Sequence, residues 1–329
     1  MRSVLTKVLV FVGAFLIVLS LLATFYASSQ VKRTPLDTNS VTRLAGTAGL
    51  YDGDELVQTP VKASSTTLAD AEASTKDVVV FHNSSCLVRD PDGNAPDCVS
   101  AEDPDDRLVS AGTDVFATDR RTGMAVNDAE GLPADAEEKS GLINKFPFDV
   151  EQKTYPFWDS YVGKAIDTTF EGVEEIDGLE TYKFQYTVED GDIEIGGEPG
   201  KYDTTKTMWI DPVTGAIQDQ EQHLVQKMPD GQTVVDLKFE FTEETVAANV
   251  ESAKDSGSRL ALIGKAVPLG AGVLGLLALA GGLLLHFLGG ARTKDGDRDE
   301  VTRSDDTREL NVFDSDDEPT RRRSDIHRD

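Results

Sequence analysis

Hydrophobic residues run along this chain in two distinct patterns. Two stretches are apolar all round. Val8 to Tyr26, VLVFVGAFLIVLSLLATFY, carries no charge in 19 residues, and Val267 to Leu288 has only His286 as a polar interruption in 22. At 1.5 Å rise per residue the first spans about 28 Å, close to the hydrocarbon thickness of a bilayer. Lys265 precedes the second stretch and Arg292, Lys294 and Arg298 follow it, and this excess of bases predicts a cytoplasmic C-terminal tail. A two-helix chain then has a cytoplasmic N-terminus too, although Arg2 and Lys7 balance Lys32 and Arg33 around the first stretch. The competing reading of that stretch is a cleaved signal peptide, with Ala27-Ser28-Ser29 as the peptidase site; its apolar length exceeds the usual core of about 7–15 residues. The chain therefore reads as a two-pass plasma-membrane protein: cytoplasmic residues 1–7, a transmembrane helix at 8–26, an extracytoplasmic domain at 30–260, a transmembrane helix at 267–288 and a disordered cytoplasmic tail at 291–329.

Between the helices the pattern changes to alternation. IDTTFEGVEEI (Ile166 to Ile176) and LETYKFQYTVE (Leu179 to Glu189) flank Asp177-Gly178, a strong hairpin signal. In the second of these, Tyr182, Phe184, Tyr186 and Val188 alternate with polar residues, which predicts one buried and one wet face. TKTMWI, the turn DPVTG, AIQDQEQHLVQK, the turn at Pro229-Asp230-Gly231 and TVVDLKFEFT continue the series into an antiparallel meander of at least five strands. EETVAANVESAKDSGSRLALIGKAV reads as a helix running down to the second membrane segment. Upstream the signals weaken. Val41 to Val57, Asp77 to Asn83 and Asp114 to Val126 read as strands, Ala63 to Thr75 as a short helix or loop, and Gly191 to Gly200 as a turn-rich connection. The fold class is thus a mainly β ectodomain, an antiparallel meander with minor helix, between two transmembrane helices. Its charged strands do not match an outer-membrane barrel, because the lipid-facing apolarity lies in the helices.

Small residues mark one face of the second membrane helix. Ala271, Gly275, Ala278 and Gly282 recur at spacings of four, three and four, so another helix can approach closely, either the first helix or one from a second copy. The bland alternative is that Gly and Ala are simply common in membrane helices.

Charge narrows the choice of partners. The chain has 59 acidic against 32 basic residues, a net charge of −27, with most of the excess between residues 30 and 260. Such a domain repels nucleic acid and anionic headgroups and concentrates cations. The alternative is that the acidity serves solubility or adaptation to salt. Cys86 and Cys98, the two cysteines, flank the turn-rich LVRDPDGNAPD in an oxidising compartment and are expected to form a disulfide. No metal or cofactor site is expected, because His82 alone accompanies the cysteines. The chain has four histidines, two of them outside the domain, and no Gly-rich phosphate loop. The expectation is a non-enzyme.

KFPFDVEQKTYPFWDSY, residues 145 to 161, packs Phe146, Phe148, Tyr155, Phe157, Trp158 and Tyr161 into one stretch. Pro147 and Pro156 lack an N–H, which places this segment on a sheet edge or in a covering crossover. It reads as a structural clamp over the sheet, with exposed contact to lipid or glycan as the alternative. Together with MWIDPVTGAI (Met208 to Ile217) and DVFATDRRTG, it resembles the actinobacterial porin PorA family of envelope proteins, over most of residues 4 to 290. The signature positions that carry the resemblance are Phe146, Pro147, Phe148, Tyr155, Pro156, Trp158, Asp159, Trp209, Pro212 and Gly215, all structural. The resemblance implies a channel-forming or channel-associated envelope protein, built from an oligomer of the helices with the acidic domain as a cation-attracting vestibule. The residues themselves favour a doubly anchored domain that binds a lipid or cell-wall precursor, and an envelope hydrolase or transferase is the third possibility. The expected partners are the bilayer, further copies of the chain through the helices, and an envelope lipid or cell-wall component.

Overall fold

The computed structural model describes residues 2–290, so the tail expected to be disordered at 291–329 lies outside the described residues. Helix α1 (Arg2–Leu22) continues through a π-helical turn (Ala23–Ala27) into α2 (Ser28–Val31). Ten strands follow: β1 (Asn39–Tyr51), β2 (Leu56–Asp70), β3 (Val78–Arg89), β4 (Leu108–Asp119), β5 (Tyr155–Asp159), β6 (Lys164–Ile176), β7 (Leu179–Ile195), β8 (Glu198–Ile210), β9 (Ile217–Lys227) and β10 (Thr233–Phe241). Helix α3 (Glu243–Ala261), a second π-helical turn (Leu262–Ala266) and α4 (Val267–Gly290) complete the described chain.

All ten strands form one antiparallel sheet in the order β4-β3-β2-β1-β10-β9-β8-β7-β6-β5, two meanders joined where β1 pairs with β10. The sheet curls into a half-barrel, and its two edge strands are stitched together at one end. Thr118 of β4 bridges Ala125, Met124 bridges Leu142, and Leu142 bridges Phe157 of β5. β1 and β10 approach closely at Gly46, where a Cβ would lie 1.9 Å from the Lys238 carbonyl oxygen. The β6–β7 turn is the expected Asp177-Gly178, with φ of 47° and 77°; both left-handed residues match the primed turn that keeps strand twist.

Inward-facing residues of the expected strands are buried: Phe184, Tyr186 and Val188 on β7, Met208 and Ile210 on β8, Leu224 on β9 and Leu237 on β10. Three upstream expectations need correction. Ala63 to Thr75 is strand β2 as far as Asp70, and only residues 71–75 form the expected loop; the Ala, Ser and Thr residues up to Asp70 pair with β1 on one side and β3 on the other. Gly191 to Gly200 is mostly strand, its turn confined to Gly196-Gly197. The strand expected from Asp114 to Val126 ends at Asp119, and Met124 and Ala125 contribute only isolated bridges.

The helices pack antiparallel. Gly13 faces Gly275 and Leu279, Val10 faces Gly282, and Ser20 Oγ donates to the Pro268 carbonyl at 2.7 Å. A Cβ on Gly275 would lie 2.9 Å from the Gly13 oxygen, so glycine sets the helix separation. Both helices are long and apolar enough to cross a membrane. Helix α3 starts at Thr242, whose hydroxyl accepts from the Thr245 N–H. It descends the barrel wall: Asn249 Nδ2 donates to the Ile217 and Gln218 carbonyls, and Lys254 Nζ to the Asp177 carbonyl. The domain therefore sits at one end of a helical hairpin.

Candidate functional site

The two stretches that carry the family resemblance meet at the helix-proximal end of the barrel. The Phe146 N–H donates to the Gly215 carbonyl, Asp149 N–H to Val213 and Val150 N–H to Pro212, so the strap zips onto the Asp211–Gly215 turn. Gly215 has φ of 75°, and a Cβ there would fall 2.1 Å from the Phe146 oxygen. The Asp211 carboxylate organises the turn by accepting from the Val213 and Thr214 N–H groups and from the Thr214 hydroxyl. Phe146 is fully buried, its ring 4.7 Å from Phe184, 5.4 Å from Tyr155 and 5.7 Å from Phe157. Tyr155, Trp158, Asp159, Trp209 and Gly215 are buried, and Pro147, Phe148, Pro156 and Pro212 are partly so. Tyr161, at 46% exposure, is the aromatic of the stretch that is exposed. Pro156 lies in edge strand β5, where on the side away from β6 it needs only its carbonyl, which accepts from the Leu142 N–H, so its missing N–H breaks no ladder.

Charged groups lie beneath this aromatic cover. Asp159, 3% exposed, accepts from Tyr186 Oη at 2.9 Å, Tyr202 Oη at 3.2 Å and the N–H groups of Tyr161 and Val162. Burial, and then the Asp159 charge, push both tyrosine hydroxyls far above their usual range. Lys206 projects into the same interior, 5.4 Å from the Phe157 ring centre, with no hydrogen bond among the described residues. Burial lowers its pKa to about 8, opposed by Asp159. Lys145 lies over Phe148 at 3.7 Å, and burial lowers it to about 7, opposed by Asp211. The Lys139 side chain, 2% exposed, pairs with Asp114 at 3.3 Å and with Glu137, against the Trp158 ring. Spacing gave no sign of these lysines; the aromatic density around them was the only available signal.

The wall stays open beyond the stitched end, between β4 and the 133–139 crossover. There Asn83, Ser85, Asp114, Glu137, Lys139 and Ser160 line a polar cleft of about 580 Å³. On the outer surface, Cys86 and Cys98 form the expected disulfide, which pins the β3–β4 loop. The same loop is held by Asp97, which accepts from Arg43 and is bridged by Lys62 at 2.8 Å, contacts that hold its carboxyl at about 2.

Acidic residues gather at the far end of the barrel axis, whereas the near end mixes both signs. Because β1 leaves the helical end, the β1–β2, β3–β4, β7–β8 and β9–β10 turns all lie at the far end. They carry Asp52, Asp54, Asp92, Asp105, Glu194 and Asp230 among other acids. The near end gathers Lys32, Arg33, Lys76, Arg120, Arg121 and Lys153 together with Asp77, Asp119, Asp149, Glu151 and Asp177.

Among the described residues no group of three or more His, Cys, Asp or Glu is placed to hold a metal ion. His82 and His223 each approach one carboxylate, Asp70 at 3.4 Å and Asp236 at 2.9 Å, on separate parts of the sheet. In the hairpin, Gly275 and Gly282 are buried against α1, and Ala271 and Ala278 are partly buried.

The family pattern described as Porin PorA matches residues 5–284, which takes in both helices and the whole β domain. A Porin PorA of Corynebacterium resistens is 22% identical, over 87% of this chain and 97% of the relative. A Porin PorA of Corynebacterium amycolatum is 26% identical, over 57% of this chain and 58% of the relative.

Proposed function

From the premise that the chain belongs to the porin PorA family, we propose a porin-type envelope protein held in the plasma membrane by its helical hairpin, with both termini cytoplasmic and the acidic half-barrel outside. The observation that carries this reading is the antiparallel α1–α4 packing, which leaves the domain at one end of two membrane-length helices. Conduction, in this reading, belongs to an oligomer. One hairpin closed on Gly13 and Gly275 leaves no space for water between its helices, and the barrel interior is filled by Phe146, Leu142, Tyr202 and Met208. The acids of the far turns then act as a cation-attracting vestibule.

Conductance of size-fractionated protein in planar bilayers tests this. Cation-selective steps confined to oligomeric fractions are expected. Steps from monomer, or anion selectivity, contradict it.

A second reading rests on the cleft between β4 and the 133–139 crossover, whose volume and polar lining suit part of an envelope lipid headgroup or cell-wall precursor. Native mass spectrometry of protein purified from its own membrane distinguishes the two, since a retained envelope component lost on Ser85→Trp supports binding at the cleft. Reaction chemistry has no support in the arrangement of side chains, and we read the chain as a non-enzyme.

A further inference from the structure

Two guanidinium groups meet at the helix-proximal end of the domain without enough negative charge to balance them. Arg33 Nη1 donates to the Lys76 carbonyl and, at 2.9 Å, to Asp77 Oδ1. Arg120 reaches the same turn from β4's end: its Nε donates to the Thr34 carbonyl at 2.8 Å, and its Nη1 to the Lys76 carbonyl at 3.1 Å and the Thr75 carbonyl at 3.4 Å. Lys76 adds a third cation, its side chain 86% exposed and 3.6 Å from Asp77. Asp77 is thus the carboxylate shared by Arg33 and Lys76, while Asp119 is occupied in capping its own turn through the Arg121 and Thr122 N–H groups and the Thr122 hydroxyl. The mismatch shows in two ways. Arg33 Nε is buried with no acceptor among the described residues, and burial together with the Arg33 charge depresses the Arg120 pKa. Like charges brought this close call for an anion that the protein does not supply.

The position says which anion. Arg33 is seven residues past Tyr26, the last residue of the apolar run, and two past the end of α2. At 1.5 Å per residue this places it about 10 Å beyond the hydrocarbon edge, at the outer limit of the headgroup layer. A guanidinium pair matches phosphate oxygens in geometry as well as charge. The rest of the domain, being acidic, repels an anionic surface, so this patch is where the domain can face one.

We propose that Arg33 and Arg120, aided by Lys76, form a binding site for the phosphate of an anionic phospholipid headgroup, which fixes the domain against the membrane surface. The inference rests on membrane insertion of the hairpin but not on its direction, since either leaflet presents phosphate at this level.

The test uses the full chain in detergent with added phosphatidylglycerol or phosphatidylcholine, read by native mass spectrometry. Wild type is expected to retain one phosphatidylglycerol about tenfold better than phosphatidylcholine, and Arg33→Gln/Arg120→Gln to lose that preference. Lys76→Gln, at an exposed side chain that leaves the fold intact, is expected to weaken it partially. Equal retention of the two lipids by wild type, or an unchanged preference in Lys76→Gln and the double variant alike, overturns the proposal. Displacement of the lipid by millimolar inorganic phosphate also overturns it, by marking a free-anion site. A failure of the topology leaves these readouts untouched and shows only in reporter fusions.

Discussion

Asp159 joins several elements of the barrel, because its carboxylate satisfies two phenol hydroxyls and two backbone N–H groups. Asp159→Asn turns one acceptor oxygen into a donor facing groups that themselves donate. A loss of about 2 kcal/mol is expected, read as a lowered midpoint in urea unfolding. Lys206 makes a prediction in pH. Its folded-state pKa of about 8 lies below its usual value of 10.5, so between those limits the unfolded chain binds the extra proton and stability rises with pH. Lys206→Met removes that contribution, and the Tm of the variant should gain less than wild type between pH 8 and 10. An equal gain in both contradicts the assignment of Lys206 to the interior. Neither residue's role was legible as chemistry. Asp159 stood out only as part of an aromatic motif, because its partners Tyr186 and Tyr202 lie far away on β7 and β8.

At the level of elements, local patterns carried far in the second meander. Its turns are encoded by neighbouring residues, as at Asp177-Gly178 and Asp211–Gly215, and its inward faces alternate cleanly. β2 was hidden because its interior-facing Ala63 and its neighbours are small and polar, a consequence of close strand packing that composition does not reveal. The Gly275 and Gly282 face was visible, but the Gly13 that receives it was not, since α1 has a single glycine and hence no repeat. Gly275→Leu should push α1 away and cost about 1–3 kcal/mol, seen as a lower melting temperature in detergent. The β3–β4 loop offers a second check. Reducing Cys86–Cys98, which closes a separation of 12 residues, should lower stability by about 3 kcal/mol in the chain-entropy model. Differential scanning fluorimetry with and without reductant reads this directly.

Over the whole molecule, charge and hydrophobicity are sorted along one axis: apolar helices, then a near end of mixed charge with the Arg33–Arg120 cluster, then a barrel whose far turns are acidic. The sorting was half legible, since the net charge is read at once but its polarity depends on which turns share an end. On the proposed reading, cations would collect at the far end while the Arg33–Arg120 pair meets headgroup phosphate. The central claim is the direction of the hairpin. A pair of reporters, one fused after Thr293 and one inserted in the Pro229–Gly231 turn of the far end, tests it in living cells. The account predicts that the first is active only as a cytoplasmic reporter and the second only as an external one; the reverse pattern, or both on the same side, contradicts it.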